Sequence, residues 1–156
     1  MDKLNIRKMK EGDKHFILEL SSRFTEFDLM EWRNPHKMKE AQLKIAKESI
    51  NNEDPDSDIF VIEDEMNNLL GFLHMTKNTD YFTGESQGYV SSIAVSKDGE
   101  GKGIARKLME KAEEWSRKKG YKQLTLNVFK KNERAVHLYS KLDFEAEIVK
   151  MVKELK

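Results

Sequence analysis

The chain is predicted to fold as an α+β protein in three layers, α/β/α, around a mixed, mostly antiparallel sheet containing one parallel strand-helix-strand crossover. Three observations carry that prediction. Apolar strand-like runs gather between Ile59 and Val95, where Asn67-Asn68 separates two of them as a hairpin turn would. The run ending at Val95 leads through glycines into an amphipathic stretch from about Gly103 to Lys119 and then into an alternating run, Gln123 to Val128. Two strands joined through a helix of that length lie parallel. Helical stretches also stand before the hairpin and after the crossover, supplying a layer for each face of the sheet.

Taken in order, Leu4 to Met9 reads as a short strand, and Glu11-Gly12-Asp13 is the turn capping a helix that carries Phe16, Ile17, Leu20 and Phe24 on one face. Residues 24–36 hold Phe24, Phe27, Trp32 and Pro35 among Glu26, Asp28 and Glu31, with no clean period. A second helix is expected from about His36 to Ile50, with Met38, Ala41, Leu43, Ile45 and Ala46 as its apolar members. Asn51 to Asp58, rich in Asn, Asp and Pro, reads as a loop. Ile59 to Ile62 and Leu69 to Thr76 form the hairpin, and Gly84 breaks the chain before the long strand ending at Val95. In the next helix Ile104, Leu108, Ala112 and Trp115 are spaced four, four and three apart, and Gly120 stops it behind Arg117, Lys118 and Lys119. Asn132 caps a helix running through Leu142, and Phe144 to Val152 is predicted as a last strand. With no linker composition, repeat or low-complexity block, residues 1–156 are expected to form one domain.

Composition narrows the chemistry. Lys plus Arg and Asp plus Glu both number 28, so no overall field would hold a polyanion, and nucleic acid is not an expected partner. The chain has no cysteine, which removes disulfides, thiolate metal sites and a cysteine nucleophile and suits a reducing compartment. No segment approaches the ~20 apolar residues of a membrane span, so a cytoplasmic location without a membrane partner is expected. His15, His36, His74 and His137 show no metal-ligand spacing. No metal is expected and these histidines receive no role.

The most informative stretch is Gly99-Glu100-Gly101-Lys102-Gly103 between the strand Tyr89–Val95 and the helix behind it. Glycines let backbone N–H groups approach an anion, and the helix start adds unpaired donors and the positive end of its dipole. Lys102, Arg106 and Lys107 crowd this helix start, where each cation should cost ~0.3–1 kcal/mol unless something negative arrives. Two readings fit: a phosphate cradle, or a tight strand-to-helix turn with solvated lysines. The Walker loop is excluded because Gly103 rather than Ser or Thr follows Lys102, and the dinucleotide fingerprint because Ile104 or Arg106 stands where its third glycine belongs.

These residues resemble the GNAT superfamily of N-acetyltransferases, which move an acetyl group from acetyl-CoA to an amine. The family's turn is Gln or Arg, two residues, Gly, one residue, then Gly or Ala. Glu100-Gly101-Lys102-Gly103-Ile104-Ala105 matches it at Gly103 and Ala105 and departs at Glu100. Asn132, Ala135, Tyr139 and Phe144 fall where the family has an Asn-to-Tyr helix followed by a Gly-Phe pair, with Asp143 in place of the glycine. The likeness implies a GNAT-like fold with acetyl-CoA as cosubstrate. It implies that backbone groups of Ile93 and Val95 pair with the pantetheine arm, and that the amides of Gly101, Lys102, Gly103, Ile104, Ala105 and Arg106 hold the pyrophosphate. Asn132 is implied as a CoA-contacting amide, and its role as a helix cap is equally open.

Tyr139 is the leading catalytic residue by the same resemblance. A departing thiolate, whose thiol has a pKa of ~8.5, can take a proton from a phenol of pKa ~10 that is neutral at rest. The other reading of Tyr139 is a core residue on the face shared with Ala135 and Leu142. With no cysteine for an acyl-enzyme, direct attack in a ternary complex is implied. The general base is open: the family often has a glutamate on the strand before the turn, where this chain has Ser92, and Glu85 in the preceding loop is the alternative carboxylate. The acceptor is expected to be a primary amine on a small molecule, met by residues 24–36 and the loop Asn78–Glu85, which mix aromatics with carboxylates. A protein or peptide N-acetyltransferase, a CoA-binding sensor without catalysis and an unrelated phosphate-binding domain are the competing functions. Monomer and homodimer both stay open.

Overall fold

A computed structural model describes residues 3–21 and 29–156 of the chain. Its five strands are β1 (Asn5–Lys8), β2 (Asp58–Glu63), β3 (Leu69–Thr79), β4 (Ser86–Val95) and β5 (Leu124–Leu126). They line up in the order β1-β2-β3-β4-β5, antiparallel throughout except for β4 against β5. The helices among the described residues are α1 (Lys14–Leu20), α2 (Pro35–Ile50), α3 (Ile104–Lys118) and α4 (Glu133–Lys141).

The strand sequences dictate the layering. In β2, Ile59 and Val61 face α1 and α2, where they pack with Ile17, Leu20, Ile50, Phe72 and Ala94. Phe60 and Ile62 face the other way, toward Leu108, Met109, Ala112 and Trp115 of α3. A strand covered on both faces has no solvated positions to alternate with, which is why this run is apolar throughout. Helix α3 comes close enough that a Cβ at Gly88 of β4 would overlap the Ser116 hydroxyl. That approach lets a polar serine sit buried, donating to the Ala112 carbonyl at 2.9 Å.

An ionic knot fastens the first strand. The Arg7 guanidinium donates to both carboxylate oxygens of Asp13, at 2.7 and 3.1 Å, and to Glu63 at 3.2 Å. The Lys10 amide donates to Asp13 at 2.7 Å, tying the turn before α1 into the same knot. These donors hold the carboxyls of Asp13 and Glu63 below the usual range.

Several expectations are corrected. Phe144 to Val152 is not a strand: no residue beyond Lys141 pairs with the sheet among the described residues, and Ile148, Val149 and Met151 are exposed. Alternation supplies propensity, but a strand needs a ladder partner, and β5 pairs over only three residues. The run at Gln123 to Val128 therefore shortens to Leu124–Leu126, whereas β3 extends to Thr79 and β2 takes in Asp58 from the expected loop. The placement of Phe24 and Phe27 lies outside the described residues.

Candidate active site

Beyond Val95 the chain enters a single 3-10 turn, Lys97–Gly99, whose Ser96 hydroxyl accepts the Gly99 amide at 3.3 Å. Gly101 and Gly103 follow in the left-handed region, at φ of 75° and 72°. A Cβ at either would meet nothing within 4 Å, so glycine serves the backbone direction there and not packing. The first bond of α3 runs from the Lys107 amide to the Gly103 carbonyl at 3.1 Å. The amides of Gly103, Ile104, Ala105 and Arg106 thus precede the helix's own acceptors, and its cap position, a glycine, brings no side chain to them. Lys102, Arg106 and Lys107 are exposed around this start. Glu100 faces Arg134 of α4 across 3.9 Å, so a cation from a second element stands beside the carboxylate that departs from the family turn.

The strand leading to this turn opens away from its neighbour. Pairing of β4 with β5 covers only Gly88 with Leu124, Tyr89 with Thr125 and Val90 with Leu126, whereas pairing with β3 continues to Gly71 and Val95. Met75 pairs with Val90 and His74 with Ser92, so Ser91 is an extra residue, a β-bulge. The bulge reverses the alternation beyond it. Gly88 donates toward β5, to the Gln123 carbonyl at 3.0 Å, whereas Ser96, also even-numbered, donates toward β3, to the Leu70 carbonyl at 2.8 Å. The main-chain groups of Ile93 and Val95 are therefore turned toward the side that β5 has left. A slot results between upper β4 and the β5 end, leading to the glycine turn.

Helix α4 borders that slot. Asn132 caps it, its side chain accepting the Ala135 amide at 3.4 Å. Tyr139 is half-buried against the α3 core. Burial pushes its phenol above its usual pKa, which keeps it neutral and able to donate. The Phe144 amide bonds to the Tyr139 carbonyl at 3.0 Å and the Asp143 amide to the Ser140 carbonyl at 3.2 Å, a Schellman ending. Asp143 takes the left-handed position at φ 68°, the conformation that glycine adopts without strain.

The remaining residues divide. Ser92 is half-buried on β4, directly opposite His74. Glu85 is exposed in the β3–β4 turn, seven residues earlier and so roughly 20 Å along the strand. Tyr81 and Phe82 are exposed in the same distant turn. From the other expected acceptor segment, Arg33 lies over Trp32 at 4.2 Å and over Phe129, beyond β5, at 5.5 Å. Arg33, just before α2, therefore reaches the β5 side of the slot.

Sequence reasoning passed over His74. Its ring is buried, Nε2 lies 2.7 Å from the Ser57 hydroxyl, and burial lowers its pKa. The usable signal was a histidine two residues from Phe72 in a strand, hence on the same inward face. Among the described residues no group of three or more His, Asp or Glu could hold a metal, and no helix is long and apolar enough to cross a membrane.

Comparison with known proteins identifies the family and the fold. The profile of the acetyltransferase (GNAT) family matches residues 18–144. Mycothiol acetyltransferase of Propionibacterium freudenreichii is 37% identical over 86 residues, which span 55% of this chain and 27% of that protein. A candidate acetyl transferase from Pyrococcus furiosus superposes with a TM-score of 0.79 at 24% identity, covering 98% of this chain and 100% of that one. The aminoglycoside N-acetyltransferase AAC(6')-Iy, solved in complex with CoA, gives a TM-score of 0.73 at 18% identity, with 99% and 96% of the two chains covered. At these identities the two structural likenesses concern the fold.

Proposed function

Because the chain belongs to the acetyltransferase (GNAT) family, we propose that it acts as a single domain in the cytoplasm, transferring the acetyl group of acetyl-CoA to a primary amine of a small molecule. The observation that carries this reading is the continuity of the slot with the cradle. Upper β4, turned by the bulge at Ser91, offers the main chain of Ile93 and Val95 to an extended amide-bearing arm, and the arm's far end meets the four leading amides of α3. Asn132 stands at the start of the bordering helix, where its amide nitrogen is available to the same ligand. AAC(6')-Iy, with CoA bound, supports the choice of ligand.

Acetyl-CoA supplies a thioester carbonyl. The neutral amine attacks that carbon in a ternary complex, the C–N bond forms, and the C–S bond breaks. Tyr139 then donates its hydroxyl proton to the departing sulfur, and the proton that the nitrogen sheds as the amide forms restores the phenol, so the free thiol and the amide leave with Tyr139 neutral again. Before attack, an alkyl ammonium with a pKa near ~10.4 must lose a proton. Ser92, two residues past the last β4–β5 pair, is placed to hold a water that relays this proton. The acceptor enters where Trp32, Arg33 and Phe129 meet.

The test is thiol release by the purified chain with acetyl-CoA and spermidine, kanamycin, free lysine or an alanine-terminated peptide. Turnover of one of the first three supports the small-molecule reading. Turnover of the peptide alone moves the assignment to a protein N-acetyltransferase, and tight acetyl-CoA binding without turnover of any acceptor to a sensor.

A further inference from the structure

His74 is 3% exposed, yet its Nδ1 has no hydrogen-bond partner among the described residues. Leaving a buried ring nitrogen unpaired is costly, so its position calls for an explanation. His74 and Ser92 face each other across the β3–β4 ladder, just beyond the bulge, and both line one cavity of about 10 Å³ beneath α1 and α2. That volume holds about one water molecule. Two other hydroxyls on its wall already donate elsewhere: Ser21 to the Ile17 carbonyl at 2.7 Å and Ser49 to the Ile45 carbonyl at 2.8 Å. On the opposite side of the ring, Nε2 reaches Ser57, which is half-buried and so leads toward solvent. The imidazole thus stands between the cavity under Ser92 and the surface at Ser57.

We propose that His74 accepts the ammonium proton of the acceptor amine, taking it at Nδ1 through one water held with Ser92 and releasing another from Nε2 to Ser57. The proposal rests on the acetyltransferase reading. In the balanced step, the ammonium becomes a neutral amine and Nδ1 gains the proton. The Nε2 proton passes to the Ser57 oxygen, whose own hydroxyl proton leaves to water, so the ring is neutral with its proton on Nδ1; between turnovers Ser57 returns a proton to Nε2 and Nδ1 releases its own to the cavity water, which restores the resting form. Nothing is oxidised or reduced.

The surroundings suit a base. Burial favours the neutral ring, so its lone pair is available at neutral pH. The opposing influence is the Asp58 carboxylate at the start of β2, itself occupied by the Trp115 indole N–H of α3 at 2.7 Å and by Lys8 of β1 at 3.5 Å. From α1, α2 and β4, the cavity walls contribute Ile17, Ser21, Gln42, Ile45, Ser49 and Ser92, none of them titratable.

The test compares wild type, His74→Gln and Ser57→Ala in three measurements. Calorimetry with acetyl-CoA should give equal affinity in all three, which establishes that each is folded around its cosubstrate site. With the fastest acceptor among spermidine, kanamycin and lysine, wild-type kcat/KM should fall as pH drops through the pKa of His74. In His74→Gln that limb should vanish, with turnover at pH 7 reduced a hundredfold or more. Ring ¹⁵N NMR of the full chain should show the neutral tautomer with its proton on Nε2, titrating at the pH of the kinetic limb. Ser57→Ala retains the ring and should slow turnover while keeping the limb. An unchanged limb in a folded His74→Gln, a proton found on Nδ1, or a His74 titration that misses the limb overturns the relay and leaves the acetyltransferase reading standing. A wild type that binds acetyl-CoA but acetylates nothing overturns both.

Discussion

The ring of Phe144 meets the ring of Tyr139 edge-on, with centroids 5.8 Å apart and planes at 62°. The same two residues are joined through the main chain, Phe144 amide to Tyr139 carbonyl, in the Schellman ending of α4. That pairing of a hydrogen bond with an apolar contact fixes where the phenol stands. The helix terminus, together with the core beneath it, therefore positions the proposed acid.

Tyr139→Phe keeps this ring contact and removes the hydroxyl. Turnover should fall by ~10²–10⁴-fold with the melting temperature nearly unchanged. The defect should shrink with an acetyl thioester of lower thiol pKa, whose leaving group needs less help. Steady-state kinetics with both donors decide it; turnover within twofold of wild type, with chemistry rate-limiting, would return Tyr139 to a packing role.

Asp143→Gly should stabilise the protein. Glycine adopts the left-handed region more freely than Asp, and Asp143 sits there at φ 68°, so the gain is up to about 1 kcal/mol. For a chain of this size that is a rise in Tm of roughly 2–4 °C by calorimetry. Turnover should not change, and a lower Tm would show that the carboxylate makes a compensating interaction.

Gly103→Val and Gly99→Ala should separate binding from folding. At Gly103 the φ of 72° opposes any side chain while the surrounding space is open, so the variant folds with a loss of about 1–2 kcal/mol but binds acetyl-CoA at least tenfold more weakly. At Gly99 a Cβ would stand 2.9 Å from the Leu70 carbonyl oxygen, and the cost falls on the fold itself. Glu100→Gln should bind acetyl-CoA as well as wild type or better, since its exposed partnership with Arg134 is long. Calorimetric titration tests all three, and undiminished affinity in Gly103→Val would remove the cradle from the binding site.

The knot around Arg7 makes stability depend on acid pH. Because the carboxyls of Asp13 and Glu63 are held low in the folded protein, their contribution is complete above the ordinary carboxylate pKa of about 4 and is lost as pH falls through the lowered values. Asp13→Asn should cost roughly 1.5–3 kcal/mol at pH 7, the scale of a hydrogen bond to a charged group. The gap from wild type should close in urea melts taken progressively below about pH 4. A gap independent of pH would mean that Asp13 acts through shape alone.

How much of this was legible along the chain follows from the range of each interaction. The helix α3, with Ile104, Leu108, Ala112 and Trp115 on one face, and the glycine turn before it are local patterns, and both stand within a residue or two of where the sequence places them. Asn132 is likewise readable as a cap, since its bond reaches three residues along. The absent last strand shows the limit: Phe144 to Val152 has the composition of a strand, but its pairing depended on a partner edge that composition does not describe.

The sequence by itself determined the order of elements as far as α4, the mixed sheet with its one crossover and the glycine turn before α3, because hydrophobic period and glycine placement act over a few residues. Only the tertiary structure decided that β4 parts from β5 after Val90, that Ser91 is an extra residue, and that His74 therefore stands opposite Ser92. A bulge is a mismatch between two strands. Neither strand alone records it, and an alternation read straight through Ser91 assigns every later side chain of β4 to the wrong face.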